Sequence, residues 1–415
     1  MRILVLAPGS RGDVQPHVAL GRALAERGHT VTLVADPAFA NLAGASNVGF
    51  VPAAFDTRGV LAEEQDTFQR TRNPVALLRG LSRRGAEMAR AWSDAAIPAS
   101  RDADLIVAAG GAIYMALSLA EKSSRPVVQT MLQPFFPTRA FASPIVPPGN
   151  WPRSINLLSH HAMLWLFQAM FRNSTNLFRS ALALGPWPFW RMPSRLSTYR
   201  ALCAVSPLVV PRPDDLPRSV EITGYWFLDD CSGWQPDPAL AEFLAAGEPP
   251  VYVGFSSVVD RDAARTTDLV LAALERSGRR AVLATGWGGL VAPRGHKDVF
   301  AIEEAPHDRL LPLCGGILHH GGAGTTAATL RAGLPQIVAP FMTDQPFWAD
   351  RMRQLGVTAL TTPKTELVVD DLCTAFRRLR EDRALRARAT ELAQRIRAEN
   401  GLAVAVARLE AAARR

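Results

Sequence analysis

Cysteine is scarce in this chain. Four residues in 415, Cys203, Cys231, Cys314 and Cys373, stand far apart with no C-x-x-C pair. That spacing excludes a disulfide framework or a zinc cluster and reads as buried thiols of a reducing compartment. Long apolar runs are missing too, since none reaches the roughly 18 residues of a membrane span. The opening MRILVLAPG has one basic residue and then a strand-length apolar run, too short for a signal peptide. The cytoplasm is the expected location. No G-x-G-x-x-G follows that first run, which disfavours a nicotinamide site. Carboxylates are absent from a whole block: none occurs between Glu121 and Asp214, where Lys122 and nine arginines lie. The net charge of the entire chain is only +8. The block also holds Trp151, Trp165, Trp187 and Trp190, so its expected partner is apolar, anionic or both. A solvated basic face over core aromatics is the alternative. No recognisable binding motif accompanies the charge, and a nucleic-acid partner is not expected.

What is present describes a globular protein. Hydrophobic residues make up 48% and charged residues 20%, and 415 residues is long for one domain but natural for two. Arg2 to Ala7 is a continuous apolar run of the kind a buried parallel strand needs. Pro8 to Asp13 reads as a glycine-bearing loop, and Pro16 suits the first turn of a helix that Gly28 stops. With a second strand at Thr30 to Ala35 this is a Rossmann-type opening. Residues 56–100 and 156–184 read as helical, and further strands are expected at Leu105 to Ala108, Pro126 to Thr130, Ala201 to Val205 and Val220 to Thr223. Asp229 to Pro238, with two prolines, reads as a linker between residues 1–228 and 239–400. The second half restarts the α/β pattern at Val251 to Phe255. Asn400-Gly401 then sets off a last helix within 401–415.

The stretch from Ile317 to Asp350, ILHHGGAGTTAATLRAGLPQIVAPFMTDQPFWAD, concentrates the chemistry. A short strand ends at His319-His320. Gly321, Gly322, Ala323 and Gly324 let the backbone turn and approach a ligand, and Thr325 opens an Ala-rich helix closed by Gly333. Free N–H groups at such a helix start make an anion site, with phosphate the usual occupant. A second strand from Gln336 delivers Asp344 and Gln345 to the next loop. The expected strand–helix–strand unit thus puts a phosphate cradle beside a carboxylate–amide pair at the edge where open α/β sheets bind ligands.

HHGGAGTTAATLRAGLPQIVAPFMTDQ resembles the donor signature of inverting, nucleotide-sugar-dependent glycosyltransferases of the GT-B architecture. It is most similar to the branch of sterol glucosyltransferases and bacterial natural-product glycosyltransferases. APGSRGDVQPHVALGRALAERGHTV resembles the N-terminal motif of the same branch. The resemblance implies an α/β fold with two Rossmann-like domains facing a central cleft: acceptor domain first, donor domain second. It further implies that the C-terminal helix packs back on the first domain. In sister enzymes the loop of Gly12-Asp13-Val14-Gln15-Pro16 carries the catalytic histidine at the Asp13 position. Asp13 is therefore read as general base, beside the plainer reading of a helix cap. His320, the N–H groups after Gly322 and Gly324, and the Thr325 hydroxyl would face the diphosphate, with no metal or other cofactor expected. Asp344 and Gln345 would bind the transferred sugar, and Ser256 and Ser257 would lie near the phosphates or simply form a turn. Two positions depart from the plant pattern. Glu304 and Ala328 stand where relatives carry a base-stacking tryptophan and a ribose-binding glutamate, which leaves the donor open between UDP and TDP. Trp287 either lines the cleft or packs in the core.

The expected activity is transfer of a hexose or deoxyhexose from an NDP-sugar to a hydroxyl of an apolar acceptor such as a sterol, lipid or polyketide. The basic, aromatic block would shape the acceptor site or rest on a membrane surface. A nucleotide-sugar epimerase and a catalytically idle activator protein are the rival readings.

Overall fold

The apolar run at Arg2–Leu6 forms strand β1, buried from Ile3 onward, in a computed structural model that describes residues 1–56, 59–60, 63, 74–188, 199–229, 233–255, 262–286, 289–293 and 295–414. Ser256, Ser257, Trp190, Trp287 and Cys231 lie outside the described residues. Helix α1 (Arg11–Glu26) leads to β2 (Thr30–Ala35), α2 (Ala40–Gly44) and β3 (Gly49–Pro52). After α3 (Pro74–Ser100) come β4 (Leu105–Ala109), α4 (Ile113–Ser123), β5 (Val127–Met131) and the long α5 (Arg153–Ala181). Strands β6 (Arg200–Cys203) and β7 (Val220–Ile222) complete a parallel sheet of order β3-β2-β1-β4-β5-β6-β7. The β3 strand carries little signal in the sequence: its GFVP is short, half-buried and bounded by glycine and proline, as edge strands often are.

Residues 229–399, together with Pro144–Gly149, form a second unit with its own core; the linker expectation places 144–149 in the first. Its elements are α6 (Pro238–Ala245), β8 (Val251–Gly254), α7 (Ala263–Ser277), β9 (Ala281–Ala284), β10 (Val299–Ile302) and α8 (His307–Leu310). Then follow β11 (Gly316–His319), α9 (Ala323–Ala332), β12 (Gln336–Val338), α10 (Gln345–Gln354), β13 (Thr358–Thr361), α11 (Val369–Glu381) and α12 (Arg383–Arg397). The second sheet is again parallel, in the order β10-β9-β8-β11-β12-β13. Both units are therefore Rossmann-like, α/β with parallel sheets.

Topology, rather than any one residue, decides where ligands can bind. The chain leaves β1 toward β2 and β3, then returns to β4 on its other side. It likewise leaves β8 toward β9 and β10 and returns to β11. The carboxyl ends of β1/β4 and β8/β11 are thus topological switch points, where loops diverge and leave a crevice. The loop carrying Asp13 follows β1, and the His320 loop follows β11.

The last helix, α13 (Gly401–Ala413), belongs to the first unit. Ala405, Val406, Leu409 and Ala412 join the α1 face of that core, and Glu410 accepts from His29 Nε2 at 3.0 Å. Gly401 permits this approach, because a Cβ there would stand 2.5 Å from the Tyr225 carbonyl oxygen.

Candidate active site

In the first unit, α1 begins at Arg11, five residues before the proline expected to open it. Ser10 takes extended backbone angles and starts the helix, so Pro16 lies inside, forgoing one backbone hydrogen bond. Asp13 is consequently the third helical residue. Its Oδ2 accepts from Ser10 N at 2.8 Å and from Ser10 Oγ at 3.0 Å, one arm of a capping box. Gly9 (φ +129) makes room, since a Cβ there would lie 2.4 Å from the same oxygen. The cap reading of Asp13 is therefore structural fact, and it fixes the carboxylate at the tip of β1. Beneath it, His17 is 1% exposed. His17 Nδ1 lies 2.6 Å from the Asp13 carbonyl oxygen and Nε2 lies 2.7 Å from Thr130 Oγ1. A carbonyl can only accept, so Nδ1 carries the proton and Nε2 accepts from the threonine. Burial lowers the pKa of His17 to about 4, so the ring is neutral at pH 7 and pins the first turn of α1 to β5.

In the second unit, His319 uses both nitrogens internally: Nδ1 accepts from Gly321 N at 3.1 Å and Nε2 donates to Gln336 Oε1 at 2.8 Å. His320 differs. It is 6% exposed, and its buried Nδ1 has no hydrogen-bond partner. Burial, then the neighbouring His319, lowers its pKa to about 3, so without ligand it offers an N–H rather than a charge. Gly321 (φ +85) turns the chain, and a Cβ on Gly322 would stand 2.4 Å from His320 Nε2. The helix α9 starts at Ala323 with Gly322 as cap, so Ala323 and Gly324 belong to its first turn instead of the loop, and Thr325 is its third residue. No side chain caps that helix. Its leading N–H groups lie just after the tip of β11, and His320 Nδ1 and Thr326 Oγ1 are each buried without a partner in this segment.

Asp344 and Gln345 come to the same edge, since a Cβ on Gly321 would lie 3.1 Å from the Gln345 carbonyl oxygen. Gln345 Oε1 already accepts from Phe341 N at 2.7 Å and Met342 N at 3.0 Å. Its amide can therefore only donate to a ligand, a narrower role than accepting and donating. Asp344 accepts from Trp348 Nε1 at 2.7 Å and from Thr343 Oγ1 at 3.1 Å, while burial pushes its carboxyl pKa up. Next to it Thr343 adopts φ 53, an unfavourable conformation for a β-branched residue and one that gathers at functional sites.

Two residues of these loops and helices had no sequence signal strong enough to single them out. Lys364, after β13, places Nζ 5.2 Å from the Phe341 ring and 5.8 Å from the Phe255 ring. Those rings follow β12 and β8, the neighbours of β11, so a cation overlies the strand tips that flank His320. Thr326 stood in plain view beside Thr325, but only its burial without a partner marks it out.

The buried histidines also set a pH limit. His17, His160 and His319 are lowered to about 4 and His320 to about 3, all chiefly by burial, against an ordinary 6.5. Their folded values are depressed, so the stability they contribute is full above pH 6.5 and is lost as pH falls through 4. Each tenfold difference in proton affinity between folded and unfolded chain is worth about 1.4 kcal/mol. Chemical denaturation is therefore expected to find the protein several kcal/mol less stable at pH 4.5 than at pH 7. Equal stability at the two values would mean that the rings already accept protons in the folded protein.

Known proteins resemble this chain in sequence and in fold. Residues 3–142 match the glycosyltransferase family 28 N-terminal domain, and residues 296–411 match the erythromycin biosynthesis protein CIII-like C-terminal domain. The chain is 34% identical over 412 residues to O-mycaminosyltylonolide 6-deoxyallosyltransferase of Streptomyces fradiae, covering 97% of this chain and 95% of that one. It is 32% identical over 428 residues to sterol 3-beta-glucosyltransferase UGT80B1 of Arabidopsis thaliana, covering 98% of this chain. It spans 67% of that enzyme and 29% of the sterol 3-beta-glucosyltransferase of Emericella nidulans. Among solved structures, the glycosyltransferase of kitacinnamycin aligns over 99% of this chain and 98% of its own, with a TM-score of 0.72 at 19% identity. Glycosyltransferase VinC, in complex with DTDP, aligns over 100% of both chains at 0.65 and 20%.

Proposed function

This chain belongs to the GT-B glycosyltransferases of family 28 and erythromycin CIII-like type, and from that premise we propose an inverting transfer of a hexose or deoxyhexose. The donor is a UDP- or TDP-sugar and the acceptor a hydroxyl of a sterol, lipid or polyketide. The observation that carries this reading is His320: a buried ring nitrogen without a partner, at the uncapped start of α9. Buried polar atoms are rarely left unsatisfied, and a ligand that accepts its proton would complete this one. Names of the relatives supply the acceptor classes, and a DTDP-bound neighbour supports a nucleotide donor.

On this reading Asp13 takes the acceptor proton as the hydroxyl oxygen attacks the anomeric carbon. The C1–O bond to the diphosphate breaks, and negative charge grows on the leaving group. The α9 N–H groups, the His320 N–H and Lys364 stabilise it. Gln345 donates to a sugar hydroxyl, and Asp344 accepts from one. A carboxylate is a weak base for an alcohol, so proton removal lags attack and positioning supplies much of the acceleration. Because the leaving charge is met by protein groups, activity is expected to survive EDTA. Complete loss restored by magnesium would overturn that part of the scheme.

The test is intact-mass detection of products from a panel of NDP-sugars with sterols, macrolides and phenols. The expected result is one sugar increment on at least one apolar acceptor, with donor consumed only when acceptor is present. Donor conversion without acceptor would instead identify a nucleotide-sugar epimerase.

A further inference from the structure

Helix α5 carries the centre of the block that lacks carboxylates. Its inner face is held down: Asn156 Nδ2 donates to the Arg139 carbonyl oxygen at 3.1 Å, His160 contacts the Phe141 carbonyl oxygen at 3.1 Å, and Met163 and Phe178 are buried. The outer face is not polar, as a solvated helix would require. Ile155, Leu158 and Trp165 recur there at three- and seven-residue spacings, with Leu166 beside the last and Trp151 four residues before the first, just ahead of the first turn. Leu158 is 61% exposed and the two tryptophans 45% and 40%. Arg153, His161 and Arg172 are exposed on the same helix, and Arg139 on the preceding loop. Asp215 comes close, but its carboxylate is taken up by Thr138 Oγ1 at 2.6 Å and Arg139 N at 2.7 Å.

We propose that the outer face of α5 docks on an anionic lipid bilayer, lying in the interface with its apolar stripe among the acyl chains. Three properties select this occupant. The stripe is apolar and exposed, tryptophans mark its two ends where interfacial aromatics settle, and only cations flank it within the block. No helix among the described residues is long and apolar enough to cross a membrane, so α5 lies on the surface and does not span it. A second copy of this chain is the poorer occupant, because pairing the face with itself would bring two sets of like charges together. Docking of this face does not depend on the sugar chemistry, yet it gives an apolar acceptor a route from the bilayer.

The experiment is co-sedimentation of the full chain with vesicles of phosphatidylcholine alone or mixed with phosphatidylserine. Binding is expected to the mixed vesicles, to weaken with added salt, and to fall at least about tenfold in Leu158→Glu/Trp165→Glu. Both sites are exposed, and an unchanged melting temperature would show the variant folded. Should it not fold, Arg153→Gln/Arg172→Gln serves instead, with a smaller salt dependence expected. Quenching of tryptophan fluorescence by brominated lipid in the wild type reads the same contact. Absence of binding to the mixed vesicles overturns the proposal, as does equal binding by wild type and variants. A wild-type dimer that the Leu158→Glu/Trp165→Glu variant turns into a monomer would assign the face to a second copy and overturn it as well.

Discussion

Replacing Asp13 with asparagine is expected to cut acceptor-saturated turnover by about 10²–10⁴-fold, the usual contribution of a general base. The side chain keeps its size, and its amide oxygen can still accept from Ser10 N and Ser10 Oγ, which are 2.8 and 3.0 Å from Oδ2 in the native protein. Asparagine is also nearly as good as aspartate at helix starts. The capped turn should therefore survive, with the melting temperature close to that of the wild type. Donor affinity should barely move, because the residues proposed to face the nucleotide belong to the other unit. A rate within about threefold of wild type would reduce Asp13 to a cap, since losing a base cannot leave the transition state so little changed. A collapse in melting temperature would show that the capping carboxylate chiefly holds the fold.

The second large effect is expected at His320. UDP or TDP at about a hundred times its dissociation constant stabilises the folded state by roughly 2.7 kcal/mol, visible as a rise in melting temperature. In His320→Ala most of that rise should disappear. A hydrogen bond to a charged group contributes about 1.5–3 kcal/mol, so affinity should fall by about ten- to a hundredfold. His320 Nδ1 has no partner in the protein, so its removal breaks no internal hydrogen bond there. Equal stabilisation of mutant and wild type by both nucleotides would mean the ring does not face the diphosphate.

Much of this arrangement was legible in the residues, for identifiable reasons. Buried parallel strands require continuous apolar runs, so RILVL, VYVG and GILH stood out, and their observed bounds differ little from those expected. The GGAG turn was equally visible, because Gly321 needs a left-handed φ and Gly322 needs the absence of a side chain against His320. The errors lie where local signals compete. Pro16 looked like a helix start, yet Ser10 with Asp13 three residues on was the stronger one. Thr325 looked like an opening residue, but the extended angles of Gly322 begin the helix earlier. Distances across the fold were out of reach. Nothing in the order of residues says that Lys364 lies over Phe255 and Phe341, that Gln345 turns its oxygen to its own loop, or that His17 joins Thr130.

The anomeric configuration of the product tests the central claim most directly. A single displacement, with one base removing the acceptor proton and the nucleoside diphosphate leaving from the opposite face, inverts C1 of the sugar. Proton NMR of the purified glycoside, measured against the NDP-sugar supplied, reads that centre through the H1–H2 coupling. An α-linked gluco-configured donor is predicted to give a β-linked glycoside, with one nucleoside diphosphate released per bond formed. An α-linked product, or nucleotide released without any glycoside, would contradict the account.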